Sequence, residues 1–152
     1  MRSFHAADVF EVLHDLMHLF RARLLQSLEQ LQPGLTFNEF RILMHTGRHP
    51  GITQKDLVEQ SHTDKAQMTR TLAQLQDKGW LERSASETDK RVRCLQLSHD
   101  GQRLFERLQH LREAIASDLL SAFPAEQQAC LMPLLGQALA SARSASETSY
   151  SK

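Results

Sequence analysis

Between residues 53 and 79 the chain reads TQKDLVEQSHTDKAQMTRTLAQLQDKG. Two helical patterns sit in this stretch, each with its own start signal. Thr53 is placed to cap a helix that has Asp56 at its third position and ends near Ser61. His62-Thr63-Asp64 leaves room only for a tight turn. A second helix is predicted from Lys65 to Lys78, with Met68, Leu72 and Leu75 on its inner face. Gly79 then stands where a helix end favours glycine. Helix, short turn, helix is the outline of a helix-turn-helix.

Beyond Gly79 the apolar period drops to two. Trp80–Arg83 and Val92–Leu97 predict two strands joined by a polar tip over 84–91, a hairpin with a long loop. Ser98 is placed to cap a long helix over about 99–122, with Leu104, Leu108, Leu111, Ile115 and Leu119 at the spacing of three and four that marks a coiled-coil seam. Pro124 opens a final helix carrying Leu131, Leu134, Leu135 and Leu139, and the small polar run from Ser144 to Lys152 predicts a frayed tail. In the other direction, Thr36 and Glu39 form a capping box at the start of a helix with Phe37, Phe40, Leu43 and Met44 inward, closed by Pro50-Gly51. Ahead of it, Val9, Leu13, Leu16, Met17, Phe20, Leu24, Leu28 and Leu31 give a helix from about Ala6 to Leu31, ended by Pro33-Gly34. The fold class expected is mainly α with a small β wing.

Composition narrows the function. One domain's worth of chain, 152 residues with 41% hydrophobic content, suffices for a core. Eighteen basic and eighteen acidic side chains cancel, so bulk charge does not point to nucleic acid. The placement of charge says more: Lys65 and Arg70 lie early on the second helix of the pair, while Lys90, Arg91 and Arg93 cluster at the hairpin tip. These are the elements that a winged helix-turn-helix presents to DNA. Two cysteines, Cys94 and Cys130, are too few for a disulfide scaffold. No apolar run reaches membrane-spanning length, and Asp8, Glu11 and Asp15 interrupt any signal-peptide core, so a cytoplasmic chain with no membrane partner is expected. A leucine seam on a helix of about 36 Å calls for a partner. Two solutions are open, a second copy about a two-fold axis or cover by the first helix within one chain.

From Thr36 to Gly101 the sequence resembles the MarR/SlyA family of bacterial winged helix-turn-helix transcription regulators. The likeness is closest in QMTRTLAQLQDKGWLER, residues 67–83. It continues through DKRVRCLQLS, residues 89–98, where the family shows an Asp-x-Arg signature followed by alternating leucines. The resemblance implies a homodimer on double-stranded DNA. An N-terminal dimerisation helix would span 1–35, the winged domain 36–98 and C-terminal dimerisation helices 99–143, with a flexible tail at 144–152. It also implies a pseudo-palindromic operator, repression, and a small-molecule or redox input through a pocket between the dimerisation helices and the winged domain.

Roles follow residue by residue. Helical periodicity puts Arg70 opposite Met68, Leu72 and Leu75, and the resemblance implies that it faces the operator. Its planar fork suits a guanine edge or a phosphate; a solvated arginine paired with a carboxylate is the plainer reading. Gln67 and Thr69 lie on the same leading turns, and a Gln amide can pair with adenine. Lys65 and the Thr63 hydroxyl suit phosphates, which orient without reading sequence. The resemblance places Arg91 in the minor groove, where a narrow A·T-rich groove attracts a cation. Asp89 either holds the Arg91 guanidinium or is simply a turn residue. Lys90 and Arg93 then neutralise phosphates.

Other chemistries find less support. His14 and His18 are four residues apart on one helix, a spacing that can hold zinc, yet no HExxH frame or nearby cysteine completes a ligand set. They are read as polar residues near a dimer surface, and neither metal nor cofactor is expected. Cys94 and Cys130 are read as small packing residues. No Gly-rich phosphate loop, zinc-hydrolase motif or nucleophile–base pair suggests an enzyme. A winged-helix module that binds protein rather than DNA is the competing reading; zero net charge favours it, and Lys65, Arg70 and Arg91 together oppose it.

Overall fold

The computed structural model describes residues 5–149. In chain order the elements are α1 (Ala6–Leu31), α2 (Phe37–Arg48), β1 (Ile52–Thr53), α3 (Gln54–Ser61), α4 (Lys65–Asp77), β2 (Leu81–Ala85), β3 (Arg93–Leu97), α5 (His99–Leu119) and α6 (Ala125–Ser149). They divide into one compact unit ending at Ile115 and a second beginning at Ala116.

Caps set the boundaries within the first unit. Thr36 Oγ1 accepts from the Glu39 N–H at 3.2 Å while Glu39 Oε2 accepts from the Thr36 N–H at 3.0 Å, the reciprocal box expected at the start of α2. Thr53 caps α3 by accepting from the Asp56 N–H, and Asp64 caps α4 by accepting from the Gln67 N–H at 2.8 Å. The turn between these helices is closed by His62 in the left-handed region, φ 55°. Gly79 follows α4 at φ +76°, a conformation an L side chain resists, which is why the helix stops there. Ser98 caps α5 through the Gly101 N–H.

The hairpin forms with β2 and β3 antiparallel, from Leu81 opposite Leu97 to Ala85 opposite Arg93. A third strand was not foreseen: β1 adds to the other side of β3, pairing Ile52 with Leu95 and Thr53 with Cys94. Two residues carry no readable period, and only the neighbouring strand makes them extended.

Leu43, Leu57, Met68, Leu72, Leu75, Leu95 and Leu108 are completely buried, so α2, α3, α4, the sheet and α5 share one core. Leu24 and Leu28 of α1 are buried too. The α5 stripe does not await a partner over its first turns, because Leu104, Phe105 and Leu108 are buried within the single chain. The Phe105 ring lies against Gly47 of α2, where a Cβ would collide with it, and Arg107 reaches the Leu31 carbonyl. Gly101 meets the Trp80 carbonyl just as closely.

The expected stripe of α1 is only partly covered: Val9 and Met17 are exposed, as are Phe10, Val12, Leu19 and Leu25. In the second unit, Gln128 Nε2 donates to the Leu120 and Phe123 carbonyls and so fixes the turn into α6. Helix α6 buries none of its described side chains, and Leu131, Met132, Leu134 and Leu139 are exposed. It runs to Ser149 rather than ending near 143; the Ser144 and Ser146 hydroxyls donate to the Ala140 and Ala142 carbonyls. Residues 150–152 of the expected tail lie outside the described residues.

Candidate nucleic-acid interface

Helix α4 is amphipathic in a way that isolates Arg70. Met68, Thr71, Leu72 and Leu75 are its buried residues. At about 100° per residue the opposite face is centred on Ala66, Arg70 and Ala73, and all three are exposed. A long cation thus stands between two methyl-sized neighbours, and the helix backbone can approach a surface closely around it. Among the described residues Arg70 makes no hydrogen bond or ion pair, so the plainer reading, a guanidinium paired with a carboxylate, is not what the structure holds.

The other α4 residues differ in availability. Lys65 is exposed on the first turn. Gln67 is half-buried on the flank, and its carbonyl accepts from the Thr71 hydroxyl. Thr69 is exposed, but its hydroxyl is engaged: it donates to the Lys65 carbonyl at 2.9 Å and accepts from Gln54 Nε2 at 3.1 Å. Because the Thr69 proton is committed to a carbonyl, its oxygen can only accept from Gln54. This fixes the amide so that the Gln54 carbonyl oxygen points elsewhere. Thr63 is half-buried and its hydroxyl leans on the Ser61 carbonyl at 3.5 Å.

The wing tip is held by a short set of bonds. The Ser86 N–H donates to the Val92 carbonyl, and the Val92 N–H donates to the Asp89 carbonyl. Asp89 Oδ1 accepts from the Arg91 backbone N–H at 3.0 Å. Asp89 therefore shapes the turn through the main chain, the simpler of its two expected roles, and does not hold the guanidinium. Lys90, Arg91 and Arg93 are all exposed.

Two recesses join these parts. One of about 420 Å³ is bordered by Thr53, Gln54, Lys55, Asp56, Val92 and Arg93, which brings the base of the wing beside the start of α3. Another of about 500 Å³ is bordered by Gln54, Lys55, Val58, Glu59 and Lys65. The basic face therefore includes Lys55 and Gln54, which the sequence did not single out. Lys55 was readable as an early-turn cation on α3, whereas Gln54 shows itself only through its bond to Thr69. Helix α3 is itself anchored from behind, as Arg41 Nη2 donates to the Ser61 carbonyl at 2.7 Å and His45 bonds Gln60 at 2.9 Å. Nearby at the end of α2, burial lowers the pKa of Arg48, with the positive charge of Arg112 adding to the effect; an arginine still stays charged.

Away from this face, a hollow of about 360 Å³ opens between α1 and α2, bordered by Met17, His18, Phe20, Arg21, Phe37 and Phe40 among others. The Arg21 guanidinium lies 4.2 Å over the Phe37 ring. His14 also borders it, its ring stacked near His18 with centroids 6.5 Å apart. Among the described residues no three His, Cys, Asp or Glu side chains converge as metal ligands. Cys94 is half-buried on β3, in keeping with a packing role, whereas Cys130 is exposed on α6. No helix among the described residues is long and apolar enough to cross a membrane.

The sequence pattern that defines the MarR family matches residues 34–92, the span from the turn before α2 to the wing tip. The chain is 26% identical over 125 residues to the transcriptional regulator HosA of Escherichia coli O127:H6, covering 82% of this chain and 92% of that one. A cysteine-to-serine mutant of MarR from E. coli, crystallised with operator DNA, is 26% identical with a TM-score of 0.72, covering 87% of this chain and 94% of that one. PcaV of Streptomyces coelicolor, in complex with its natural ligand, shares the fold at 19% identity and a TM-score of 0.64, covering 93% of this chain and 99% of that one. The described elements are mainly helical with one small antiparallel sheet, as in these proteins. Residues 34–92 match the MarR family, and the chain has the winged helix-turn-helix fold of these similar transcriptional regulators.

Proposed function

We propose that the chain acts in the cytoplasm as a ligand-responsive repressor that binds a pseudo-palindromic operator as a homodimer. The observation that carries this reading is Arg70, exposed between Ala66 and Ala73 on α4 and without a partner among the described residues. In this reading α4 enters the major groove, with Arg70 on a base edge or phosphate and Gln67 at the flank. Lys65, Thr63 and Lys55 orient the helix on phosphates. Thr69 acts mainly through Gln54, whose amide it holds. Arg91 enters the adjoining minor groove, Asp89 shapes the turn behind it, and Lys90 and Arg93 neutralise the backbone.

Dimerisation is supported by the apolar side chains left exposed on α1 and α6, among them Phe10, Val12, Met132 and Leu134. A partner molecule that covers them would set two α4 helices about 34 Å apart, one helical turn of DNA. A duplex clamped in both grooves is closed to polymerase, which is the support for repression. The hollow between α1 and α2 is the proposed effector site; its aromatic lining and one cation suit a small organic anion, and PcaV shares the fold with a ligand bound. An effector acts only through its preference for one of two geometries.

The test is to sequence random duplex fragments retained by the purified protein and titrate the enriched sequence by fluorescence anisotropy. An inverted repeat bound by a dimer is expected. Failure to bind any duplex at low salt would favour a protein-interaction module instead. An aromatic sulfonate dye such as anilinonaphthalene sulfonate probes the hollow, and its binding should weaken on Arg21→Ala.

A further inference from the structure

One ammonium group ties together the turn after α1, the start of α2 and the end of α4. Lys78, the C-cap residue of α4, donates from Nζ to Glu39 Oε1 and Oε2 at 2.8 and 2.7 Å and to the Gly34 carbonyl at 2.9 Å. Its three N–H bonds are thereby used. The Glu39 side chain is 1% exposed, and Oε2 also accepts from the Thr36 N–H. The carboxylate is thus held by the capping box that begins α2.

Both ends of this knot lead to features already described. Glu39 lies between Phe37 and Phe40 in the chain, and both rings border the hollow beside α1. On the other side, Lys78 is followed by Gly79, whose φ of +76° turns the chain toward β2. The Lys78 ammonium also stands 5.5 Å from the Trp80 ring centroid. The recognition helix ends, and the wing departs, at the residue gripped from the wall of the hollow.

We propose that Glu39 and Lys78 are positioning residues that transmit the state of the α1–α2 hollow to α4 and the wing. The proposal rests on reading the hollow as the effector site. Its physical basis is an asymmetry between contacts. Apolar packing between α2 and α4 is non-directional and lets the helices slide. A buried carboxylate cannot give up the one cation paired with it among the described residues without being left uncompensated. When the first turn of α2 moves, Lys78 therefore follows, and the end of α4 with it.

A double-mutant cycle on the full-length protein tests this, read as operator Kd by anisotropy. Phe37→Ala alters the wall of the hollow, and Lys78→Met cuts the link. In the parent, Phe37→Ala is expected to change Kd by about fivefold or more, the lower end of typical coupling. In the Lys78→Met background the same change should fall below about twofold, and Lys78→Arg, which keeps the charge, should restore part of it. The same ratio in both backgrounds overturns the proposal, as does a parent Kd indifferent to Phe37→Ala. Should Lys78→Met not fold, the cycle is run with Glu39→Met added, which removes the lone buried charge. A merely structural pair would lower the melting temperature in every arm and leave the ratio intact. The cycle contains no ligand, so its failure is separate from failure of the effector reading, which shows in the dye titration.

Discussion

Truncating Arg70 to alanine separates DNA recognition from folding, because the side chain contributes to one and not the other. It is exposed and has no hydrogen-bond or ion-pair partner among the described residues, and α4 is anchored by Met68, Leu72 and Leu75 from the opposite face. Alanine is also the better helix former, so unfolding free energy should stay within about 0.5 kcal/mol of the parent. A bidentate guanine contact is worth about 1–3 kcal/mol. A dimer engaging two half-sites independently then loses about 2–6 kcal/mol, or roughly 30-fold to 25,000-fold in Kd. Anisotropy titration of the enriched operator against a scrambled duplex, with thermal melts alongside, reads both quantities. The operator Kd should rise toward that of the scrambled duplex while the melting temperature holds. A loss smaller than about fivefold would refute the assignment of Arg70 to a base. An equal loss on both duplexes would make Arg70 a phosphate contact.

Other outcomes follow from the same structure. Lys90→Ala should reduce the slope of log K against log salt by about one unit for each protomer bound, while Arg91→Ala should weaken binding most where the flanking DNA is A·T-rich; titrations over a salt series on matched A·T and G·C flanks measure both. Gly101→Ala should destabilise by about 1–3 kcal/mol despite the helical preference for alanine, since the new Cβ meets the backbone carbonyl of Trp80, which cannot rotate aside. A scanning melt showing unchanged or higher stability would contradict it. Leu134→Glu, on the exposed face of α6, should shift the sedimentation coefficient to that of a monomer and weaken operator binding with it; a dimer that persists would remove α6 from the interface.

Much of this architecture was legible because short-range chemistry fixed it. Thr36 with Glu39, Thr53 with Asp56, and Gly79 announce helix ends through side chains that act within a few residues. Arg70 was found on its outer face by counting helical turns. What escaped the reading depends on partners far along the chain. Strand β1 exists through its pairing with β3, and the Lys78–Glu39 bond spans 39 positions. The seam on α5 was visible, yet leucine spacing does not say whose surface covers it; Gly47 and Phe105 answer that for its first turns. In the same way Thr69 looked like a reader, and its hydroxyl turns out to be engaged by Lys65 and Gln54.

Footprinting on the enriched operator tests most directly whether a paired molecule sets α4 and the wing on each half of the duplex. Dimethyl sulfate reports guanine N7 in the major groove, and hydroxyl radicals report the minor-groove edge of the backbone. Two major-groove patches centred about one helical turn apart, each flanked by minor-groove protection that Arg91→Ala removes, are the expected result. A single patch, or uniform protection unchanged by Arg70→Ala and Arg91→Ala, would contradict it.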